Sequence, residues 1–348
     1  MNLFKVTNTY RNILRIKTIL QVLTKHGFGH IVARLNLATY LPTLTKIVGK
    51  LDKLPSYLSE ESAPVRIRMV LQELGPTFIK FGQMLSSRPD ILSEEFINEL
   101  QVLQDRITPF PINKVIEIIE GEFEQKIDDV FFEFEYQALA SGSIGQVHRA
   151  KLPDGTQVIV KIKRPNIDKT IKTDIAILEF LAELAEKYIE EMEVLQPVLI
   201  VDEFSKTIMR ELDFPAEAAY TEKFYNLVLE DKYISSPKVY WEYVTPNIIV
   251  LERLFGINIG KAMKLESHGA HLNLLGKRIV SNFMNQYFIW GLFHADPHPG
   301  NILLEDTGHI NLIDFGMVGH LTEELKHQLS TTILALLRND LDTIIEIY

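Results

Sequence analysis

Between residues 62 and 128 apolar positions recur at three- and four-residue spacing, through Val65, Ile67, Val70, Leu71 and Leu74. That is the period of helices burying one face. Pro76 and Pro89 punctuate the stretch, and Pro109 and Pro111 mark a further break. Ser93-Glu94-Glu95 offers an N-cap and an acidic first turn for one more helix. Residues 1–55 read as one or two amphipathic helices with scattered Lys and Arg, ending near Leu54-Pro55. Near residue 130 the pattern changes. Val130 to Tyr136 mixes aromatics with Glu, Gln146 to Leu152 reads as a second strand, and Gln157 to Ile162 is a β-branched third. Pro153-Asp154-Gly155 supplies the turn between the last two. A long helix is expected over 166–195 and another over roughly 199–229. Strands near 238–244 and 247–253 follow, then a helix over 270–292. The loop His294 to Asn301 and two short strands flanking Thr307-Gly308 come last. The prediction is an α+β fold, a β-meander followed by helices, two more strands, and a helix with a loop and hairpin behind it.

Charge distribution adds to this picture. The chain has 348 residues and a net charge of −10, yet residues 1–50 hold eight Lys or Arg and no Asp or Glu, so the remainder carries −18. An acidic body argues against nucleic-acid binding, which needs a basic footprint. The basic arm suits an anionic membrane surface, or a solvated helix packed on the body. The same composition also suits an organellar transit peptide. No uncharged apolar run reaches the roughly 18 residues of a transmembrane helix. The absence of cysteine excludes disulfides, a thiolate nucleophile and cysteine-ligated metals, and fits a reducing compartment.

Candidate chemistry sits at the junctions. Ala140-Ser141-Gly142-Ser143-Ile144-Gly145-Gln146-Val147 follows G-x-G-x-x-G-x-V, with Ala140 in place of the first glycine. Small residues there let backbone N–H groups approach phosphate oxygens; alone, the turn reads as a tight hairpin. Lys161 ends a Val-Ile-Val-Lys run 16 residues after Gly145, where a lysine can reach nucleotide phosphates if a carboxylate holds it. Alone, it reads as an exposed strand lysine. Glu217 is the chosen partner, with Glu211 and Asp213 as further carboxylates. The most specific signal is His294-Ala-Asp296-Pro-His298-Pro-Gly300-Asn301, with Asp314-Phe315-Gly316 behind it. Asp296 and Asn301 are five residues apart and Asp314 is thirteen further on, across a hairpin that would bring it beside Asn301. In kinase chemistry the first aspartate positions or deprotonates the acceptor, while the asparagine and second aspartate hold Mg²⁺, which prefers such hard oxygens. A rival reading makes His294, Asp296 and His298 a transition-metal site. It leaves Asp314 and Lys161 unexplained.

At this point the chain resembles the UbiB family, the aarF-domain or ADCK-type atypical kinases. The likeness rests on Lys80-Phe81-Gly82-Gln83 with Ser86-Ser87-Arg88-Pro89-Asp90, on Ala140 to Ala150, on Glu211-x-Asp213, and on His294 to Asn301. It covers roughly residues 55–345. It implies a protein-kinase-like bilobal fold with a five-stranded N-lobe and a helical C-lobe, and a helical KxGQ extension lying over the active site as a lid. The segments would be 1–55 basic helices, 56–128 extension, 129–255 N-lobe and 256–348 a partial C-lobe. Catalytic residues would be Asp296, Lys161 and Glu217. Ala140, Ser141, Gly142, Ser143, Gly145, Val147 and Lys161 would bind the nucleotide, and Asn301 and Asp314 the metal. Lys80, Gln83, Glu211 and Asp213 would form the lid, with Lys80 paired to Glu211. The implied cofactors are ATP and Mg²⁺. The implied setting is ubiquinone or related isoprenoid-lipid biosynthesis, with a cytoplasmic protein peripheral at the inner face of the membrane and isoprenoid lipid or its biosynthetic proteins as partners. ATP hydrolysis is a stronger expectation than protein phosphorylation. Two departures stand out. Gly142 replaces a frequent alanine, which suggests more kinase-like nucleotide binding, and the chain ends 32 residues after Gly316, inside the expected C-lobe. A nucleotide-gated lipid-binding scaffold and a soluble small-molecule phosphotransferase are the alternative functions.

Overall fold

The structure is a computed structural model that describes residues 10–40, 61–104, 108–262 and 272–347. Its longer helices are α1 (Tyr10–Lys25), α2 (Gly29–Arg34), α3 (Ala63–Leu74), α4 (Pro76–Leu85), α5 (Glu94–Gln101), α6 (Ile112–Phe123), α7 (Ile167–Tyr188), α8 (Pro197–Glu211), α9 (Phe214–Val228), α10 (Leu272–Met284), α11 (Glu323–Arg338) and α12 (Leu341–Ile347). Contacts divide the chain into two compact units. One comprises residues 1–115, 138–147 and 163–212, the other 116–137, 148–162 and 213–348. The four consecutive segments expected from the motifs do not coincide with these units, because the chain passes from one unit to the other within continuous strands.

In the first unit the helical period does what it predicts. Ile16, Ile19 and Leu20 of α1 join Val70 and Leu71 of α3 and Phe180 of α7 in one core. Each such burial is worth roughly 1.5–3 kcal/mol. Arg15 fastens α1 further. Its guanidinium donates to both oxygens of the buried Asp174, at 2.7 and 2.8 Å, and to the Leu74 carbonyl at 2.8 Å. A bidentate guanidinium is the strong form of such a contact. The first described helix is therefore packed on the body. The rest of the expected 1–55 segment, residues 1–9 and 41–55, lies outside the described residues. Ser93 occupies the N-cap position of α5, as expected, but its side chain makes no capping bond.

The second unit carries most of the strands: β1 (Glu133–Phe134), β2 (Ala140–Ser141), β3 (Gly145–Lys151), β4 (Gln157–Lys163), β5 (Ile234–Ser235), β6 (Ile248–Glu252), β7 (Ile257–Asn258), β8 (Leu292–His294), β9 (Ile302–Leu304), β10 (Ile310–Leu312) and β11 (Val318–His320). Only β2 and the ends of β3 and β4 fall in the first unit. The main sheet has five strands in the order β1–β3–β4–β6, with β2 also on β3. The count agrees with the sequence reading, but the membership does not. The strand expected at 238–244 is a single bridge, Val239 to Leu251, followed by a 3-10 turn at Trp241–Tyr243. The chain turns back there because the Thr245 hydroxyl accepts the Asn247 and Ile248 N–H groups, at 3.2 and 3.1 Å, around Pro246. The expected strand over 130–136 shrinks to two residues, since Ile127–Val130 forms a helical turn.

The helix expected over 199–229 is two helices. Pro215 has no N–H and disfavours helical backbone before it. Asp213 restarts the helix as the N-cap of α9, accepting the Ala216 N–H at 3.0 Å. The helix expected over 270–292 changes character at its end, where Asn285–Trp290 is π-helical. A second sheet runs β5–β10–β9–β7, and β8 pairs with β11. Phe224, Ile302, Leu312 and Phe315 meet in the core beneath these strands.

Candidate active site

Lys161 is placed by strand alternation. Its neighbours Val160 and Ile162 are fully buried in the sheet core, so Lys161 points to the other face. There its ammonium bonds both oxygens of Glu217, at 2.8 and 2.7 Å. It lies 5.2 Å from the centre of the Phe214 ring and 3.8 Å from Asp314 Oδ2. Glu217 is buried in the first turn of α9. Its position follows from the Asp213 cap and Pro215 that begin that helix.

The loop after β8 is built from backbone hydrogen bonds. The buried His294 donates its N–H to Gln286 Oε1 at 2.8 Å, and its Nδ1 accepts the Asp296 N–H at 3.1 Å. Burial pushes the His294 imidazole below the usual histidine range, against the pull of the Asp314 and Asp296 carboxylates. The Asp296 carbonyl accepts from His298 N at 2.8 Å, and the His298 carbonyl accepts from Asn301 N at 2.9 Å. His298 Nδ1 accepts the Gly300 N–H at 3.0 Å. Both imidazoles thus spend Nδ1 on the loop's own backbone. Among the described residues no group of three His, Cys, Asp or Glu could hold a metal, so the His294–Asp296–His298 transition-metal reading finds no support.

Asn301 and Asp314 are neighbours through the β9–β10 hairpin, where Ile313 N donates to the Asn301 carbonyl at 3.1 Å. Asn301 Nδ2 faces Asp296, 3.2 Å from its carbonyl and 3.4 Å from Oδ2. That leaves Asn301 Oδ1 as the atom able to meet a cation. Asp314 Oδ1 accepts the Gly316 N–H at 2.8 Å. Phe315, between them, is fully buried and stacks on Phe224 at 4.6 Å. An amide oxygen and a carboxylate are hard donors of the kind Mg²⁺ takes together with phosphate oxygens. The residues present therefore fit that ion.

The remaining candidates, apart from Asp213, lie in the first unit. Ala140 pairs with Val147 and Ser141 with Gln146, and Gly142 N donates to the Gly145 carbonyl at 2.8 Å. Ser143 and Gly145 are buried and Gly142 is exposed. Arg164 holds this hairpin, with bonds to the Gly142 carbonyl at 2.9 Å, Ser141 Oγ at 2.8 Å and the Thr108 carbonyl at 2.9 Å. Its burial lowers the guanidinium's pKa. The buried Gln146 amide receives Phe110 N at 2.8 Å. Sequence reasoning missed Arg164 and Gln146. Neither carries a local pattern, and their partners lie 22 to 56 residues away in sequence.

Lys80 of α4 reaches Glu211 Oε1 at 2.6 Å, at the end of α8. Gln83 does not join that pair; its amide donates to the Leu103 carbonyl at 3.1 Å. Gly82 lets α4 approach its neighbours, since a Cβ there would stand 2.5 Å from Leu103 Cδ1 and 2.7 Å from Leu71 Cδ1. Lys163, also missed, is buried and donates to the Leu212 carbonyl at 2.7 Å, tying down the end of α8. Asp213 makes the α9 cap and belongs to the second unit.

Residues 102–348 match the ABC1 atypical kinase-like domain. The chain belongs to that family. Among curated ABC1-type relatives, a probable protein kinase UbiB of Pseudomonas paraeruginosa is 36% identical over 95% of this chain and 62% of its own length. One from Pseudomonas fluorescens is 40% identical over 80% of this chain and 53% of its own length. The chain thus spans less than two thirds of the length of these relatives. A solved structure titled as the complex of Rv3197 with erythromycin, from Mycobacterium tuberculosis, superposes with a TM-score of 0.59 at 24% identity, covering 87% of this chain and 74% of that one. The likeness supports the kinase-like α+β fold expected from the sequence.

Proposed function

We propose that this chain is an ATP- and Mg²⁺-dependent phosphotransferase or ATPase of the UbiB type, acting at a membrane surface in support of ubiquinone or related isoprenoid-lipid biosynthesis. The observation that carries the reading is the convergence of Lys161, Glu217 and Asp314, with the ammonium held by two carboxylate oxygens and a second carboxylate 3.8 Å away. Such a cation is pre-positioned for phosphate oxygens, and Asn301 with Asp314 would hold Mg²⁺, which neutralises phosphate charge when bound. Asp296, with its backbone fixed by His294 and His298, orients water or an acceptor hydroxyl. Catalysis of this kind rests on positioning and fixed charge. The membrane setting draws on the acid-free, basic residues 1–50. Among the described residues no helix is long and apolar enough to cross a membrane.

The test is Mg²⁺-dependent ATP hydrolysis by the purified chain, with and without anionic vesicles, beside Asp314→Asn. Turnover that rises with vesicles and falls about 10²–10³-fold in the variant, the scale for losing a pre-placed charge, supports the proposal. Tight Mg·ATP binding without turnover would replace it with a nucleotide-gated scaffold. Stimulation by a water-soluble alcohol or amine, and none by lipid, would replace it with a small-molecule kinase.

A further inference from the structure

In the catalytic loop, residues 294–301 of the second unit, every backbone N–H is missing or already bonded. Pro297 and Pro299 have none. The His294 N–H goes to Gln286 Oε1 at 2.8 Å, the Ala295 N–H to the Met317 carbonyl at 3.0 Å, and the Asp296 N–H to His294 Nδ1 at 3.1 Å. The His298 N–H goes to the Asp296 carbonyl at 2.8 Å, the Asn301 N–H to the His298 carbonyl at 2.9 Å, and the Gly300 N–H to His298 Nδ1 at 3.0 Å. The loop therefore keeps no main-chain donor for a ligand, and its sequence holds no Lys or Arg.

Its side chains leave one donor. His294 Nε2 is fully buried. Asn301 Nδ2 is turned to Asp296, 3.2 Å from its carbonyl and 3.4 Å from Oδ2. His298, by contrast, is exposed. Its Nδ1 is an acceptor, and a neutral imidazole carries a single proton, so that proton sits on Nε2. Among the described residues no group bonds Nε2. Gly300 lets the ring lie where it does, since a Cβ there would stand 2.9 Å from His298 Nδ1. The imidazole is thus fixed at one nitrogen and offers an N–H at the other.

We propose that His298 is the donor through which this loop holds the terminal phosphoryl group of ATP, from Nε2–H to a non-bridging oxygen. The inference rests on the phosphotransferase reading and on the place given there to Asp296. Asp296 orients the attacking water or hydroxyl, and the group attacked is the terminal phosphoryl, so a donor two residues from Asp296 belongs to that end of the nucleotide. Phosphate oxygens brought to a carboxylate need such a donor, and hydrogen bonds to a charged acceptor are the stronger kind. Capping the 3-10 turn Pro299–Asn301 uses Nδ1 alone and leaves Nε2–H for the ligand.

The test compares Mg·ATP and Mg·ADP affinity by calorimetry in the parent chain, His298→Asn and His298→Gln. In His298→Asn the amide oxygen can keep the Gly300 bond, asparagine being a good cap, but nothing reaches the position of Nε2. In His298→Gln the amide nitrogen can reach it. Position 298 is exposed, so both variants should fold. The expected result is ATP binding about tenfold weaker in His298→Asn, ADP binding unchanged, and most of the ATP affinity recovered in His298→Gln. ATP affinity unchanged in His298→Asn, a loss shared equally by ATP and ADP, or no recovery in His298→Gln overturns the inference and leaves the phosphotransferase reading standing. A parent chain that binds no Mg·ATP removes that reading, and the inference with it.

Discussion

Lys80–Glu211 in the first unit and Lys161–Glu217 in the second are close to matched in geometry, at 2.6 and 2.7 Å, with each lysine side chain 22% exposed. Their surroundings differ. The Glu211 side chain retains 12% exposure and Glu217 only 3%. Lys80 joins α4 to the end of α8, as a cross-link between helices. Lys161 bonds both oxygens of its partner and faces Asp314 as well. The same two residue types thus make a helix tie in one setting and a poised cation in the other. What separates them is the third group within reach and the depth of the carboxylate.

The largest effect that would test this contrast is catalytic. Lys161→Met should lower Mg²⁺-dependent ATP hydrolysis by about 10²–10³-fold, while Lys80→Met should leave much more of the turnover intact. Equal losses, measured by phosphate release at saturating ATP, would put both lysines in one catalytic role and end the comparison.

Stability should separate the pairs next. Removing one partner of a buried pair leaves the other charge stranded. Because Lys161 is partly exposed, the low end of that range applies, and Lys161→Met should cost about 3 kcal/mol. Lys80→Met should cost about 1 kcal/mol, closer to a solvated pair. Urea unfolding reads both. Replacing both members, as in Lys161→Met with Glu217→Leu, should recover part of the loss, because no stranded carboxylate remains. If it recovers none, the cost lies in packing and not in charge.

Acid should weaken the second unit first. Among the described residues, the two buried histidines whose pKa is pushed down by burial, His148 and His294, lie in it. His148 is held under the Phe134 ring and His294 against Phe315. With the folded pKa depressed, the unfolded chain binds the proton more readily. Stability is therefore complete above the ordinary value of 6.5 and falls as pH drops from there toward the folded values. The slope is at most about 1.4 kcal/mol per pH unit for each group. Amide-exchange protection, taken relative to the intrinsic rate at each pH and compared just above and about one unit below pH 6.5, should fall more in the second unit than in the first. A uniform loss of protection would remove the distinction.

The contrast also marks where sequence reading works. The His294–Asn301 loop was legible because its geometry is local, made by bonds between residues two to five positions apart. The place of Asp314 followed from one short hairpin. The two lysine pairs span 131 and 56 residues, and no period along the chain encodes them. The resemblance supplied Lys80 with Glu211, and the choice of Glu217 leaned on the order of kinase-like elements. Arg164, Gln146 and Lys163 stayed hidden because each acts on a backbone group far along the chain, which the identity of the partner residue does not specify. The break before α9 could have been read from Asp213 and Pro215, a cap followed by a proline in the first turn. The apolar spacing on both sides masked it.

The smallest expected effect concerns a glycine in the first unit. The sequence suggested that Gly142 gives the loop a more kinase-like grip on nucleotide through its conformational freedom. Its φ, however, is not in the left-handed region, and a Cβ there would meet only the Gly145 carbonyl, at 3.7 Å. Alanine therefore fits the backbone as it stands. Gly142→Ala should stabilise the chain by about 0.4–1 kcal/mol, through the unfolded state. Gly82→Ala, which drives a Cβ into Leu103 and Leu71, should destabilise it by about 1–3 kcal/mol. If Gly142→Ala gains stability and leaves ATP and ADP affinity unchanged, the glycine is incidental to nucleotide binding, and the weight of phosphate recognition stays with Lys161 in the second unit. If affinity changes while stability rises, phosphate oxygens must approach position 142 closely enough for one methyl group to matter.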